Sequence, residues 1–223
     1  MHVRETIVHV AVLWAAALGG YHVFFPLMGF DADYSTTPIA VALYYTVWLC
    51  VSLYTFRHIL KGSLVMEDHP LRILLASIGF GALIWFTVIG LAGLSPDSPG
   101  TLGTDLHPTA WYFFPKTFEI LVQQLLFASL ILALARHTRS LRAIATSYGI
   151  IGTIGHLALV VILWPAYQLP LFLTGAAIAS AFVFPYLILR VRGGFLYSYM
   201  IHWTFYAVIV YWMRTVDALS LFT

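Results

Sequence analysis

FPKTFEILVQQLLF, Phe114 to Phe127, places one carboxylate, Glu119, and two adjacent amides, Gln123 and Gln124, in a run that is otherwise apolar. The run extends over 113–135, which meets the length of about 20 residues that a helix needs to cross the hydrocarbon of a bilayer. Reading this stretch as a membrane span decides how the rest of the chain is read.

The composition agrees. Of 223 residues, 61% are hydrophobic and 9% charged, whereas soluble domains carry roughly a quarter charged residues. Apolar runs of span length recur over 6–28, 38–60, 71–94, 113–135, 142–164, 169–189 and 195–213, each predicting a helix, because backbone in lipid must satisfy its own hydrogen bonds. The expectation is an all-α, polytopic bundle of about seven transmembrane helices. The first run, with its basic start, is read as a retained span and not as a cleaved signal, since its apolar character continues to Met28.

Between the runs lie GFDADYSTTP, KGSLVMEDHP, RHTRS, PAYQLP and RVRGG, each rich in breakers or charges, and a longer Pro/Gly-rich loop from Ser95 to Pro115. With the N-terminus in the cytoplasm, every lysine and arginine except Lys116 and Arg214 falls on the inner side, as the positive-inside rule requires. Asp31, Asp33, Asp97 and Asp105 then lie outside. No loop is long enough to form a domain of its own, so residues 1–223 are expected to form a single transmembrane domain in the plasma (inner) membrane, with the lipid bilayer as its surroundings.

Several functions are excluded. The net charge of +2 is small and its basic residues are scattered, which leaves no footprint for nucleic acid. Cys50, the one cysteine, allows neither an internal disulfide nor a Cys-rich metal site. There is no G-x-S-x-G elbow and no H-E-x-x-H signature.

The polar residues inside the runs remain. In the expected topology Glu119 sits roughly 10 Å below the outer end of its span, and His156 roughly 12 Å below the outer end of the fifth, at 1.5 Å per residue. Glu119 and Gln123 share a helical face, with Gln124 close to it; His202 and Tyr206 share a face of the seventh span. His22 of the first span reaches the same layer. Ionisable groups in a membrane are costly and usually mark a site. Lys116 either pairs with Glu119 or snorkels to the outer interface, and its place at the start of the span favours snorkelling. His58, His69, His107 and His137 fall at helix ends or in loops, where solvation explains them.

The run LFLTGAAIASAFVFPYLILRVRGGFLYSYMIHWTFYAVI, Leu171 to Ile209, resembles the closing region of the CPBP intramembrane proteases, the CAAX-protease and bacteriocin-processing group. That family carries Glu-Glu-x-x-x-Arg on one helix, Phe-x-x-x-His on the next and His-x-x-x-Asn two helices later, and the order Glu119, His156, His202 is similar. Phe118 or Ile120 stands where the family has its other glutamate, Gln123 or Gln124 where it has arginine, Gly152 where it has the aromatic, and Tyr206 where it has asparagine.

The resemblance implies an intramembrane peptidase acting on a membrane-anchored peptide or protein. In that reading Glu119 activates water, His156 and His202 hold the water or stabilise the oxyanion, and Gln123, Gln124 and Tyr206 supply further donors or bind substrate, with no cofactor. Two other readings stay open. One is a haem or divalent-metal protein, with His22 and His156 as a bis-histidine pair or with His156, His202 and Glu119 as ligands. The other is a catalytically degenerate chaperone or transporter-like protein that uses the Glu119 layer for binding or proton relay.

Overall fold

The computed structural model describes residues 2–30, 32–61, 70–92, 110–162 and 168–215. Within them the chain is all helical. Seven α-helices follow one another: α1 (Val3–Leu27), α2 (Pro38–Leu60), α3 (Pro70–Ala92), α4 (Phe113–Ala135), α5 (Leu141–Ile162), α6 (Gln168–Arg190) and α7 (Gly194–Thr215), with a short 3₁₀ turn, Ala110–Tyr112, leading into α4. Every apolar run is thus a helix, and no strand occurs among the described residues. Asp31, Asp97, Asp105, His69 and His107 lie outside the described residues.

Helices α1, α2 and α4, and α6 from Leu173, are long and apolar enough to cross a membrane. Their burial differs sharply: 72% of the apolar window of α4 is buried, against 17–28% in the other three. The faces turned outward are strongly apolar, with Leu27, Phe86 and Phe182 among the most exposed side chains, while Lys116, Glu119, Gln123, Gln124, Ser129 and Ser198 are buried. Water would penalise both choices; a lipid surround favours them.

Contacts along the chain fall into two compact units, one of residues 1–15, 52–66 and 124–198, the other of residues 16–51, 67–123 and 199–223. In the first, the Tyr148 hydroxyl of α5 meets Ser180 Oγ of α6 at 3.2 Å, Gln124 Nε2 of α4 donates to Ser198 Oγ of α7 at 2.6 Å, and the Arg136 guanidinium donates to the His58 carbonyl at the end of α2 at 3.1 Å. That last bond satisfies a terminal carbonyl and sets positive charge at the negative end of a helix.

The second unit is built on an aromatic core of Tyr112, Phe113, Tyr199 and Trp203 with Ile120, Ala207 and Val210, flanked by Tyr34, Phe80 and Tyr206. Trp203 Nε1 donates to Thr117 Oγ1 at 3.2 Å and the Tyr199 hydroxyl to the Thr117 carbonyl at 3.3 Å, tying α7 to α4.

The turn from α1 to α2 is specified locally. Gly29 adopts φ 66, the left-handed conformation that glycine takes without penalty after a helix. Phe30 N donates to the Phe25 carbonyl at 3.0 Å and Gly29 N to the Pro26 carbonyl at 3.0 Å, the paired closure of a Schellman ending. Asp33 Oδ1 then accepts from Ser35 N at 2.7 Å and Thr36 N at 3.0 Å, and Pro38 opens α2, a position where its missing N–H costs nothing. Between the two devices, Tyr34 is aimed into the second unit.

Candidate functional site

Glu119 lies on α4, 3% exposed, and all its acceptor capacity is engaged. Lys116 Nζ donates to Oε1 at 2.9 Å and to Oε2 at 2.8 Å. Gln123 Nε2 adds a bond to Oε1 at 2.7 Å, and the Tyr34 hydroxyl a bond to Oε2 at 2.5 Å. Residues 116, 119 and 123 follow one another at three and four along a helix, so their side chains stack on one face. A carboxylate offers about four lone-pair positions, and these four bonds fill them.

The Tyr34 hydroxyl is also 2.8 Å from the Tyr45 hydroxyl of α2. A hydroxyl has one proton to give; with that of Tyr34 directed at the carboxylate, Tyr45 donates to Tyr34. Tyr45 is buried, and Tyr21 of α1 stacks on it with centroids 6.3 Å apart. Tyr34 keeps part of its surface open, yet its hydroxyl end is enclosed, and burial pushes this phenol well above its ordinary range, with the Glu119 charge adding to the effect. Tyr112, in the turn before α4, is pushed up to about 12 by burial, with Lys116 pulling the other way.

The expectation that Lys116 snorkels to the interface is overturned. Its side chain is buried beside Glu119, and its ammonium lies over the Tyr206 ring at 4.1 Å, with Tyr34 at 5.5 Å and Tyr112 at 6.0 Å. A salt bridge sharing both carboxylate oxygens, together with three π faces, supplies locally what the interface would have supplied through water.

The remaining predicted residues divide between the units. Gln123 and Tyr206 join Glu119, and Gln123 also reaches the Tyr206 hydroxyl. His202, half-buried one turn before Tyr206, packs its ring against that tyrosine at 5.4 Å. His22 stands edge-on to Tyr21 at 5.1 Å and within electrostatic reach of Glu119. Gln124 and His156 belong to the first unit. Gln124, five residues beyond Glu119, bonds Ser198. His156 Nδ1 is 2.8 Å from the Gly152 carbonyl, one turn back on α5, and its ring faces Trp14 of α1 at 6.0 Å. Among the described residues, no three of histidine, cysteine, aspartate and glutamate come together as a metal-holding group.

Tyr34, Tyr45 and Tyr112 had no place in the sequence reading of the site. Only the i, i+3 spacing of Lys116 from Glu119 carried a usable signal, since it allows a pair on one helix. No family model matches the chain, and no curated protein or solved structure matches it.

Proposed function

We propose that this chain is a polytopic membrane protein of seven spans, with a cytoplasmic N-terminus in the plasma (inner) membrane, whose Glu119 centre binds a ligand and does not activate water. It is, on this reading, a divergent and non-hydrolytic relative of the CPBP proteases, transporter-like or chaperone-like in role. The observation that supports it is the occupancy of the carboxylate. A general base needs a lone pair directed at the water it deprotonates, and Lys116, Gln123 and Tyr34 hold all of those on Glu119. The cost of an ionisable group inside a membrane, on the order of 2.5–3.5 kcal/mol on insertion scales, also argues that the centre is kept for a purpose. A binding role keeps a cation beside the carboxylate throughout, whereas the peptidase role requires Lys116 or Tyr34 to yield its place to a neutral water, which loosens the compensation of a buried charge.

The test compares the termini of membrane proteins, by mass spectrometry, in cells carrying the wild-type chain, the Glu119→Gln variant at matched membrane level, or no chain. Identical termini in all three are expected. Processed termini that appear with the wild type and vanish in the other two would return Glu119 to the role of general base. The binding reading also calls for no haem or metal ligation by His22, His156 or His202, and a haem absorption band or stoichiometric metal in the purified chain would overturn that part.

A further inference from the structure

The Lys116–Glu119 salt bridge lies within one helix, three residues apart, so the ion pair by itself joins no two elements; the contacts to other segments are made by tyrosines, Tyr34 through its hydroxyl on Glu119 and the rings around Lys116. Buried pairs of this kind return little net stability once desolvation is counted. What converges from elsewhere is the aromatic surround. Tyr34 comes from the α1–α2 turn, Tyr112 from the 3₁₀ turn and Tyr206 from α7, and each ring lies 4.1–6.0 Å from the same nitrogen. Aromatic faces around a cation, backed by a carboxylate, are the chemistry by which proteins recognise organic ammonium groups.

We propose that Tyr34, Tyr112, Tyr206 and Glu119 form an organic-ammonium site, filled in this structure by the chain's own Lys116 ammonium as an internal occupant. The proposal rests on the reading of the Glu119 centre as a binding site and names its ligand class. Exchange conserves charge: the ligand's ammonium takes the place on Glu119, and Lys116, one turn from the start of α4 on a flexible four-carbon stem, swings out toward the helix end. A ligand that carries an anion next to its ammonium then also meets the displaced lysine. A lipid headgroup and a water-soluble amine share this chemistry.

The chain has two lysines, Lys116 and Lys61, and Lys61 is exposed, which gives an internal reference. The full chain is placed in nanodiscs of phosphatidylglycerol, in the same discs with added tetramethylammonium or choline, and in phosphatidylcholine discs. Each sample is pulsed with an amine-acylating reagent, and the Lys116:Lys61 labelling ratio is read by mass spectrometry. Quaternary probes are used because they do not consume the reagent. The expected result is a severalfold rise in the ratio. A rise with soluble ammonium in phosphatidylglycerol assigns a water-borne source; a rise confined to phosphatidylcholine discs assigns the headgroup. The Glu119→Gln and Tyr206→Leu variants, each checked for folding by circular dichroism, should show no ammonium-dependent rise.

Lys116 protected equally in every sample overturns the ammonium assignment. If terminal-peptide profiles are meanwhile unchanged by Glu119→Gln, the centre remains a non-hydrolytic one for some other ligand. If they change, the binding reading has failed by its own test.

Discussion

A buried ion pair is asymmetric at the level of its residues: losing one partner strands a charge, whereas losing both strands no charge and leaves only the Tyr34 and Gln123 donors without their acceptor. Lys116→Met or Glu119→Leu alone is therefore expected to cost about 3–5 kcal/mol, and the double substitution to cost less than the sum of the two. Unfolding in detergent followed by circular dichroism reads this directly, and single effects that simply add in the double variant would show that the pair is not coupled. The tyrosines make a second prediction. The Tyr112 phenol is pushed up to about 12 by burial, so the fold favours its protonated form; the resulting stability is complete below the ordinary value of about 10 and is lost as pH rises through 10 to about 12. Tyr112→Phe should flatten the fall in unfolding temperature over that window, and an unchanged slope would place the alkaline loss elsewhere. Glu119 and Gln123 were legible in the sequence because helical spacing alone puts them on one face. Lys116 was misjudged because position along a span says nothing of the rings waiting at that depth, and Tyr34 was invisible because no periodicity places a loop residue.

Among the elements, the seven helices were legible almost to their ends, and 38–60 and 113–135 agree with α2 and α4 without a shift. Breakers explain this: Pro38 can open a helix but not continue one, and Gly29 and Gly193, with φ 66 and 68, mark turns that follow α1 and α6. Packing partners were not legible, since lipid-facing and bundle-facing sides are equally apolar. Two glycines that read alike in sequence are therefore expected to respond differently. A Cβ on Gly29 meets nothing within 4 Å, whereas one on Gly194 would sit 1.8 Å from the Leu187 carbonyl oxygen. Gly29→Ala should cost only its left-handed strain, roughly 1–2 kcal/mol, while Gly194→Ala has to displace backbone where α6 turns into α7 and should cost clearly more. Equal losses in the same unfolding assay would show that the α6–α7 turn relaxes without penalty.

For the molecule as a whole, the distribution of exposure carries the membrane assignment and topology carries the rest. A chain that exposes Phe86 at 73% and Phe182 at 79% while burying Glu119 and Lys116 is organised for a solvent that welcomes hydrocarbon and excludes charge. Such a solvent also fixes which loops see which compartment, because each span reverses the side, and the bias of arginine and lysine then sets the orientation. On the proposed topology of seven spans and a cytoplasmic start, the α1–α2 turn would face outward and the α4–α5 connection inward. Cys50 is the one cysteine, so a Cys50→Ser background leaves single reporters unambiguous. Thr36→Cys and His137→Cys occupy exposed positions in those two connections. In intact cells a membrane-impermeant maleimide should label the Thr36 variant and spare the His137 variant, which reacts only after the membrane is opened. The reverse pattern would invert the orientation and turn the Tyr34 turn, with the Glu119 centre beneath it, toward the cytoplasm; labelling of both in intact cells would mean that an even number of crossings separates them and that the span count is wrong.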